Sequence, residues 1–313
     1  MSLKVEYLDS FIKATEKGAI GAYQFVGKGD KNAADKGAVD AMREVLNQID
    51  INGRIVIGEG EMDEAPMLYI GEKVGNKNGP ELDIAVDPLE GTNFAANNLP
   101  GALSVIAISE KNNLLNAPET YMEKISTRVK EKNIIDLDYS VKKNISNLSD
   151  YLNKNPENIT ACILDRPRHI KIIDELKELK VKIKLISDGD VSGALLVTDN
   201  KHNVDIFLGI GGGPEGVLAA SALDAFGCSF QGRFLFETDE DKSRAKKMGI
   251  NDLKKKYELN EIVLGDSIFC ATGITSGDLV SGIEIKGNKF ISETLVTHKS
   301  SRLKKVIKQK QNI

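Results

Sequence analysis

The sequence predicts an α/β protein built from two halves. Its 313 residues suffice for one large domain or two fused domains, and 41% apolar with 28% charged residues is an ordinary globular composition. From about residue 155, short apolar strands alternate with helices, which is typical of a largely parallel sheet. No linker separates the two parts. We therefore expect an N-terminal α+β half at 1–155 and a C-terminal α/β half at 156–313, packed tightly together.

The N-terminal half begins with helical periodicity. Apolar residues between Val5 and Val26 recur at helical spacing and predict one or two amphipathic helices. Further helices are expected at 33–48 and at 65–74, where Pro66 would stand in the first turn. Short apolar runs predict the strands, at 54–57, 82–86 and 103–108.

The C-terminal half alternates strands with helices. Strands are expected at 160–164, 182–186 and 204–208, and helices at 170–179, 192–197 and 215–225. Asp241 to Tyr257 is predicted to be a charged helix, and 282–297 a hairpin around Lys286-Gly287-Asn288. The Lys- and Arg-rich tail at 299–310 is expected to be a solvated terminal helix. A phosphate- or nucleic-acid-binding arm is the less favoured alternative.

Composition excludes several classes of function. A net charge of −4 implies no strong field for nucleic acid or membranes. The longest apolar-rich run, Gly101 to Ile108, is too short to span a bilayer, and the N-terminus does not resemble a signal peptide. The three cysteines form no CxxC pair, so a zinc site is not expected. We predict a cytoplasmic protein with no nucleic-acid and no membrane partner.

Carboxylates are concentrated directly after predicted strands. Glu59 and Asp63 follow the strand that ends at Ile57, and Asp87 and Glu90 follow the next one. Solvated surface carboxylates are common, but active sites of α/β proteins gather at strand ends. Like charges repel unless cations neutralise them, and hard oxygen ligands select Mg²⁺ or Mn²⁺. Two further acidic residues stand at helix starts, Asp35 and Glu215.

Two turns beside these carboxylates carry residues that suit a phosphate ligand. Thr92 lies two residues past Glu90, where its hydroxyl could orient water or merely cap a helix. The glycine-rich run Gly209 to Gly216 follows a strand and opens a helix, which frees backbone N–H groups for an anion. A tight structural turn is the alternative. Pro214 stands where the dinucleotide fingerprint needs glycine, so that motif is absent.

The remaining candidates lie at strand ends of the C-terminal half and in one loop. Arg166-Pro167-Arg168 offers bidentate contacts to phosphate, with a surface ion pair as the alternative. Asp188-Gly189-Asp190 would accept hydrogen bonds from sugar hydroxyls or cap the next helix. Tyr121 is expected in a loop, where its phenol would reach a ligand. With three histidines in the chain and no cluster of them, catalysis by His169 is not expected.

Together these motifs resemble the class II fructose-1,6-bisphosphatases of the GlpX type, over about residues 5 to 305. DPLEGT alone would indicate only the wider lithium-sensitive sugar phosphatase superfamily, which includes inositol monophosphatases. The combination is specific; it comprises GKGDKNAAD at 27–35, IGEGE at 57–61, DEAPMLYIGE at 63–72, DPLEGT at 87–92, DGD at 188–190 and GIGGGPEG at 209–216.

The resemblance implies a role for each matching residue. Asp35 and Glu59 match one metal pair, and Asp87, Glu90 and Glu215 match the ligands of a second Mn²⁺ or Mg²⁺ ion. Thr92 matches the residue that helps to activate the attacking water, and Lys31 and Asp63 match positions near the reaction centre. The substrate contacts that it implies are Glu90, Gly91, Thr92, Tyr121, Arg166, Pro167, Arg168, Asp188, Gly189, Asp190 and Gly212.

The family also sets the expected fold and reaction. The fold is the layered α-β-α-β-α sugar phosphatase type, with a metal-binding N-terminal half and a substrate-binding C-terminal half, in a dimer or tetramer. The reaction is hydrolysis of fructose 1,6-bisphosphate to fructose 6-phosphate in gluconeogenesis. The open alternatives are dual action on sedoheptulose 1,7-bisphosphate, an inositol-type monophosphatase, and a sugar-phosphate-binding regulator without activity. The arginine pair disfavours the monophosphatase, and the complete acidic set disfavours the regulator.

Overall fold

A computed structural model describes residues 3–58 and 68–312. The strands are β1 Asn52–Ile57, β2 Lys73–Val74, β3 Glu81–Glu90, β4 Leu103–Glu110, β5 Tyr121–Thr127, β6 Thr160–Leu164, β7 Lys182–Ile186, β8 Ile206–Gly212, β9 Ser229–Leu235, β10 Lys256–Glu258, β11 Ser267–Gly273, β12 Glu284–Ile285, β13 Lys289–His298 and β14 Leu303–Asn312. The helices are α1 Leu8–Tyr23, α2 Lys31–Leu46, α3 Thr92–Ala96, α4 Val141–Leu152, α5 Ile170–Glu178, α6 Asp190–Leu195, α7 Gly213–Phe226, α8 Asp239–Lys247 and α9 Leu259–Ile262.

These elements form two compact units. The first unit comprises Met1–Asn116 with Val263–Ile313, and the second comprises Ala117–Ile262. The division therefore differs from the expected boundary at residue 155. β5 hydrogen-bonds to β8 and β9, which places it in the second unit, and the C-terminal strands β11 to β14 return to the first sheet. No helix within 3–58 and 68–312 is long and apolar enough to cross a bilayer.

The described strands form two sheets, one in each unit, so the predicted α/β class is confirmed. The first sheet has eight strands in the order β12-β13-β11-β4-β3-β1-β2, with β14 paired to β13. Its β1 and β3 are parallel and its other pairs are antiparallel. The second sheet has six strands in the order β10-β9-β5-β8-β6-β7.

The first sheet is covered by apolar helix faces. Phe11 and Ile12 of α1 are fully buried and share one cluster with Ile106 of β4 and Ile268 of β11. α2 begins where the Asp30 side chain accepts a hydrogen bond from the Ala33 N–H, at 2.9 Å, which caps the helix. The predicted N-terminal helices and the strands β1, β3 and β4 therefore occur where the periodicity placed them.

Two of the secondary-structure predictions for the first unit are wrong. The helix expected to end at Val74 is absent from its described part, since Gly71 adopts φ 95° and Lys73–Val74 pairs with β1. The tail is the strand β14, hydrogen-bonded to β13 along its length, and is not a solvated helix. Its side chains alternate between half-buried and exposed along much of the strand, with Ile307 packing on the apolar core and lysines pointing to solvent.

The second sheet is mixed, whereas a largely parallel one was expected. β6 is parallel to β7 and β8, but β5, β9 and β10 add an antiparallel portion. On one side, Leu148 of α4 and Leu176 of α5 pack on Ala161 of β6 and Leu208 of β8. The predicted charged helix stops early, because α8 ends before Gly249 at φ 90° and the chain re-enters the sheet as β10.

The crossing of α1 and α2 has no room for side chains at one point. A Cβ at Gly21 would overlap the carbonyl oxygen of Gly37, and a Cβ at Gly37 would come within 2.7 Å of the Gly21 oxygen. The backbones of the two helices therefore touch, which fixes α2 against α1.

We expect Gly21→Ala to lower the free energy of unfolding by about 2 kcal/mol, because overpacking against backbone outweighs the gain in helix propensity. Chemical denaturation measures the change. Lys13→Ala, on the exposed side of the same helix, is the control and should stay within about 0.5 kcal/mol of the parent protein. An unchanged Gly21→Ala variant would contradict the close crossing.

Candidate active site

Two carboxylate side chains lie at the carboxyl end of β3 in the first sheet. Pro88 lies within this strand, and the pairing with β4 shifts register between Asp87, which lies opposite Val105, and Glu90, which lies opposite Leu103. The extra residue in β3 is a bulge. Since the opposite residues are two apart, the bulge brings Asp87 and Glu90 to one face of the sheet. Asp87 is half-buried and Glu90 is buried.

The chain then turns sharply into α3. Gly91 adopts φ 80° and ψ 51°, a left-handed conformation that glycine takes without a steric penalty. Thr92 begins α3, and its hydroxyl donates to the Leu89 carbonyl at 3.3 Å. This bond fixes the orientation of the hydroxyl oxygen, whose lone pairs can accept a hydrogen bond from a ligand or water.

The start of α2 is tied to the same region of the first unit. The N–H groups of Gly27 and Gly29 donate to the carbonyls of Ala95 and Ala96 in α3, at 2.9 and 2.8 Å. The loop that precedes α2 is thereby fastened to the helix that Thr92 opens. Lys31 is exposed in the first turn of α2, and Asp35 is half-buried one turn later.

The two remaining acidic candidates of this unit, Glu59 and Asp63, lie outside the described residues. β1 ends at Ile57, which pairs in parallel with Ala85, two residues before Asp87. Within 3–58 and 68–312, no group of three or more His, Cys, Asp or Glu side chains is arranged to hold a metal ion.

In the second unit, consecutive glycines make room for two carboxylates. β8 ends at Gly212 and α7 begins at Gly213, with Pro214 in the first turn. A Cβ at Gly211 would overlap the Asp190 carboxylate, and a Cβ at Gly212 would overlap the Glu215 carboxylate. The glycines at these two positions therefore serve close packing of acidic side chains.

A buried lysine that the sequence analysis missed joins these groups. Lys124, in the middle of β5, is 1% exposed and donates to Asp190 Oδ2 and to the Gly212 carbonyl, the latter at 2.6 Å. The sequence offered one signal: in a strand, Lys124 lies on the same face as Met122 and Ser126, and both of these residues are buried. Burial raises the pKa of Glu215, as do the negative charges of Asp190 and Asp188, while Lys124 opposes this shift.

The arginines and Tyr121 form the outer part of this region. Tyr121 begins β5 opposite Gly212, so it stands on a strand and not in a loop as predicted. Arg168 stacks on its ring at 4.7 Å from the centroid, and its Nε donates to the Ile210 carbonyl at 3.0 Å. Arg166 contacts the Asp188 carboxylate at 3.4 Å. Gly189, at φ 81°, turns the chain into α6, which Asp190 begins.

His169 holds the turn Arg166-Pro167-Arg168, the arginine turn, against β8. Its Nδ1–H donates to the Leu164 carbonyl and its Nε2 accepts from the Ile210 N–H, both at 2.7 Å. A carbonyl can only accept, so Nδ1 carries a hydrogen. Because Nε2 must be unprotonated to accept, the two bonds together require the neutral ring. Burial lowers the pKa of His169, and neighbouring Arg168 lowers it further. His169 therefore has a structural role.

A cleft of about 410 Å³ opens at this end of the second sheet. Among its lining residues are Tyr121, Gly212 and Glu215, three of the predicted site residues. Of the other candidates in this unit, Arg168 stacks on Tyr121, Arg166 contacts Asp188, and Asp190 faces Lys124 in the interior. The ligand contacts assigned to all of these residues stay predictions.

The family described as "Bacterial fructose-1,6-bisphosphatase, glpX-encoded" matches residues 6–311. A relative from Synechococcus sp. (strain JA-3-3Ab), "D-fructose 1,6-bisphosphatase class 2/sedoheptulose 1,7-bisphosphatase", is 42% identical over 93% of this chain and 91% of its own length. "Fructose-1,6-bisphosphatase 1 class 2" from Escherichia coli (strain K12) is 43% identical over 96% of this chain and 93% of its own length.

Solved structures align weakly. "Structure of Inositol monophosphatase from Anabaena (Nostoc) sp. PCC 7120" has a TM-score of 0.32 and 13% identity, over 62% of this chain and 71% of that chain.

The neutral His169 predicts a pH dependence of stability. Unfolded histidine takes up a proton near pH 6.5, whereas the buried ring resists it, so acid favours unfolding. Between pH 7 and 5 we expect the parent protein to lose about 1 kcal/mol more unfolding free energy than His169→Gln. Denaturation at each pH measures this difference. The other two histidines are present in both proteins and cancel. Equal losses would contradict the neutral, buried ring.

Proposed function

This chain belongs to the family of bacterial, glpX-encoded fructose-1,6-bisphosphatases and is a phosphoric monoester hydrolase; we propose that it releases phosphate from fructose 1,6-bisphosphate to give fructose 6-phosphate. The observation that carries the proposal is the family match over residues 6–311. The carboxylates at the end of β3 and at the start of α7 support it, because they suit hydrolysis of a phosphate ester.

The family is metal-dependent, and the donor chemistry of the proposed ligands fits a divalent cation. Asp35, Asp87, Glu90 and Glu215 are all carboxylates, the hard oxygen ligands that favour Mg²⁺ or Mn²⁺. We propose that Asp35 and Glu59 hold one cation, and that Asp87, Glu90 and Glu215 hold a second. Such cations, when bound, lower the pKa of water and neutralise charge on phosphate oxygens.

The chain's own residues would orient water and substrate. The Thr92 hydroxyl donates to Leu89, which leaves its oxygen to accept a hydrogen bond from the attacking water. Asp63 and Lys31 are proposed to act near the same centre. The left-handed turn at Gly91 sets the direction in which Thr92 leaves β3. Glu90, Gly91 and Thr92 would contact the substrate there.

The second phosphate would be bound by the arginine turn. The Arg168 side chain is exposed and stacked on Tyr121, so its terminal N–H groups are pre-oriented to meet phosphate oxygens. Binding energy at this distal phosphate would orient the reacting one. The remaining proposed substrate contacts are Arg166, Pro167, Asp188, Gly189, Asp190 and Gly212.

A second substrate, sedoheptulose 1,7-bisphosphate, is compatible with the comparisons. The Synechococcus relative carries sedoheptulose 1,7-bisphosphatase in its name as well. The two sugars differ by one carbon, and the arginine turn would serve the distal phosphate of either. An inositol monophosphate offers no such second phosphate.

The setting of the enzyme is proposed on the same basis. We infer a cytoplasmic, gluconeogenic enzyme that acts as a dimer or tetramer. Its substrate would be a sugar bisphosphate, with no nucleic-acid and no membrane partner. A net charge of −4 supports the last two points.

Release of inorganic phosphate tests the proposal, with Mn²⁺, with Mg²⁺ and with chelator. Fructose 1,6-bisphosphate is compared with sedoheptulose 1,7-bisphosphate and inositol 1-phosphate. We expect metal-dependent release from the first, and the second decides whether the activity is dual. Turnover of inositol 1-phosphate alone, or undiminished activity in chelator, would contradict the proposal.

Two aspartates of α2 provide a matched pair for the proposed ligands. We expect Asp35→Asn to lower kcat/KM by at least about 100-fold, because an amide binds a divalent cation far more weakly than a carboxylate. Asp40→Asn, on the same helix, should keep the parent activity, since Asp40 is exposed and forms surface ion pairs with Lys36 and Arg43 of the same helix. Steady-state kinetics measure both, and equal activities of the two variants would remove Asp35 from the site.

A further inference from the structure

Lys124 is a basic side chain in the interior of the second unit. Its side chain is 1% exposed, and Met122 and Ser126 beside it on the same face of β5 are buried as well. A buried ammonium costs several kcal/mol unless nearby groups accept its hydrogen bonds and balance its charge. The contacts of Lys124 therefore show which groups it stabilises.

Those contacts join three elements of the candidate site. Lys124 Nζ donates to Asp190 Oδ2, at the start of α6, and to the Gly212 carbonyl, at the end of β8, at 2.6 Å. Asp190 is 8% exposed, and its Oδ1 accepts no hydrogen bond from the described residues. Lys124 is thus the polar group that fixes the Asp190 side chain.

Glu215 lies beside the same pair. Its carboxylate rests on the Cα of Gly212, whose carbonyl Lys124 holds, and the Asp190 carboxylate rests on the adjoining Gly211. The negative charges of Asp190 and Glu215 repel each other, and Lys124 is the cation that offsets them. A divalent cation on Glu215 would bring a second positive charge to this group.

We propose that Lys124 is a positioning residue: it is the internal counter-ion that holds Asp190, Gly212 and Glu215 in place before a divalent cation binds, and it weakens the hold of Glu215 on that cation. The inference rests on the proposed function, since it takes Glu215 as a metal ligand. Lys124 touches no reacting atom. It sets metal affinity by charge, which moderates binding and makes release easier.

The experiment compares the parent protein with Lys124→Met, Asp190→Asn and the double variant, all first stripped of metal. In chelator, Lys124→Met should lower the Tm by roughly 5–15 °C, because Asp190 and Glu215 lose their counter-charge. The double variant removes both charges of the buried pair and should regain at least half of that loss. Additive losses in the double variant would overturn the counter-ion role.

Calorimetric titration with Mn²⁺ gives a readout independent of turnover. We expect Lys124→Met to bind Mn²⁺ about tenfold more tightly than the parent protein. In a Glu215→Gln background the same substitution should change the affinity by less than about twofold. Unchanged or weaker binding by Lys124→Met would overturn the inference, as would a tenfold change that persists without the Glu215 carboxylate.

The outcomes separate this inference from the function on which it rests. A parent protein that binds no Mn²⁺ would overturn the proposed function and the inference with it. Binding by the parent that Lys124→Met leaves unchanged would overturn the inference alone. If Lys124→Met is unfolded in chelator, saturating Mn²⁺ should restore a cooperative thermal transition, and failure to do so counts against Lys124 as the counter-ion.

Discussion

The ion pair between Lys124 and Asp190 lets two acidic side chains, buried Asp190 and half-buried Glu215, lie close together in the second unit. Asp190 and Glu215 are both held against glycine Cα atoms, with Lys124 between β5, α6 and the end of β8. Without a cation, burial and mutual repulsion would favour protonation of the carboxylates or their movement into solvent. Glycine is therefore needed at 211 and 212, because any larger residue would overlap the carboxylates of Asp190 and Glu215.

In the first unit, the backbone geometry likewise brings two carboxylates close together. Asp87 and Glu90 come to one face because a bulge at Pro88 adds a residue to β3, and Gly91 then turns the chain away in a left-handed conformation. Helix α2 approaches closely because Gly21 and Gly37 let it touch α1. Each unit thus brings oxygen donors to a strand end, which is the arrangement expected of a metal-dependent phosphatase.

Much of this could be predicted from the sequence where a local pattern decides the structure. Helical periodicity correctly predicted α1 and α2, and short apolar runs correctly predicted β1, β3 and β6. The motif around Asp87 placed the carboxylates at a strand end. Where tertiary contacts decide, prediction failed: β14 looks like a charged tail, but pairing with β13 and burial of its inner face make it a strand.

Lys124 was missed for a related reason. A charged residue in a run such as Glu123-Lys124 resembles a loop, and only the partners Asp190 and Gly212, distant in sequence, explain its burial. His169 likewise gave no positive signal, because its role depends on the Leu164 carbonyl and the Ile210 N–H on two separate strands.

We propose that carboxylates at the end of β3 hold the catalytic divalent cation. Anomalous scattering from crystals grown with Mn²⁺, collected at the manganese edge, would locate this ion. We expect a peak within about 2.5 Å of oxygen atoms of both Asp87 and Glu90. A fully active enzyme whose crystals bind Mn²⁺ elsewhere, with no peak at these two side chains, would contradict it.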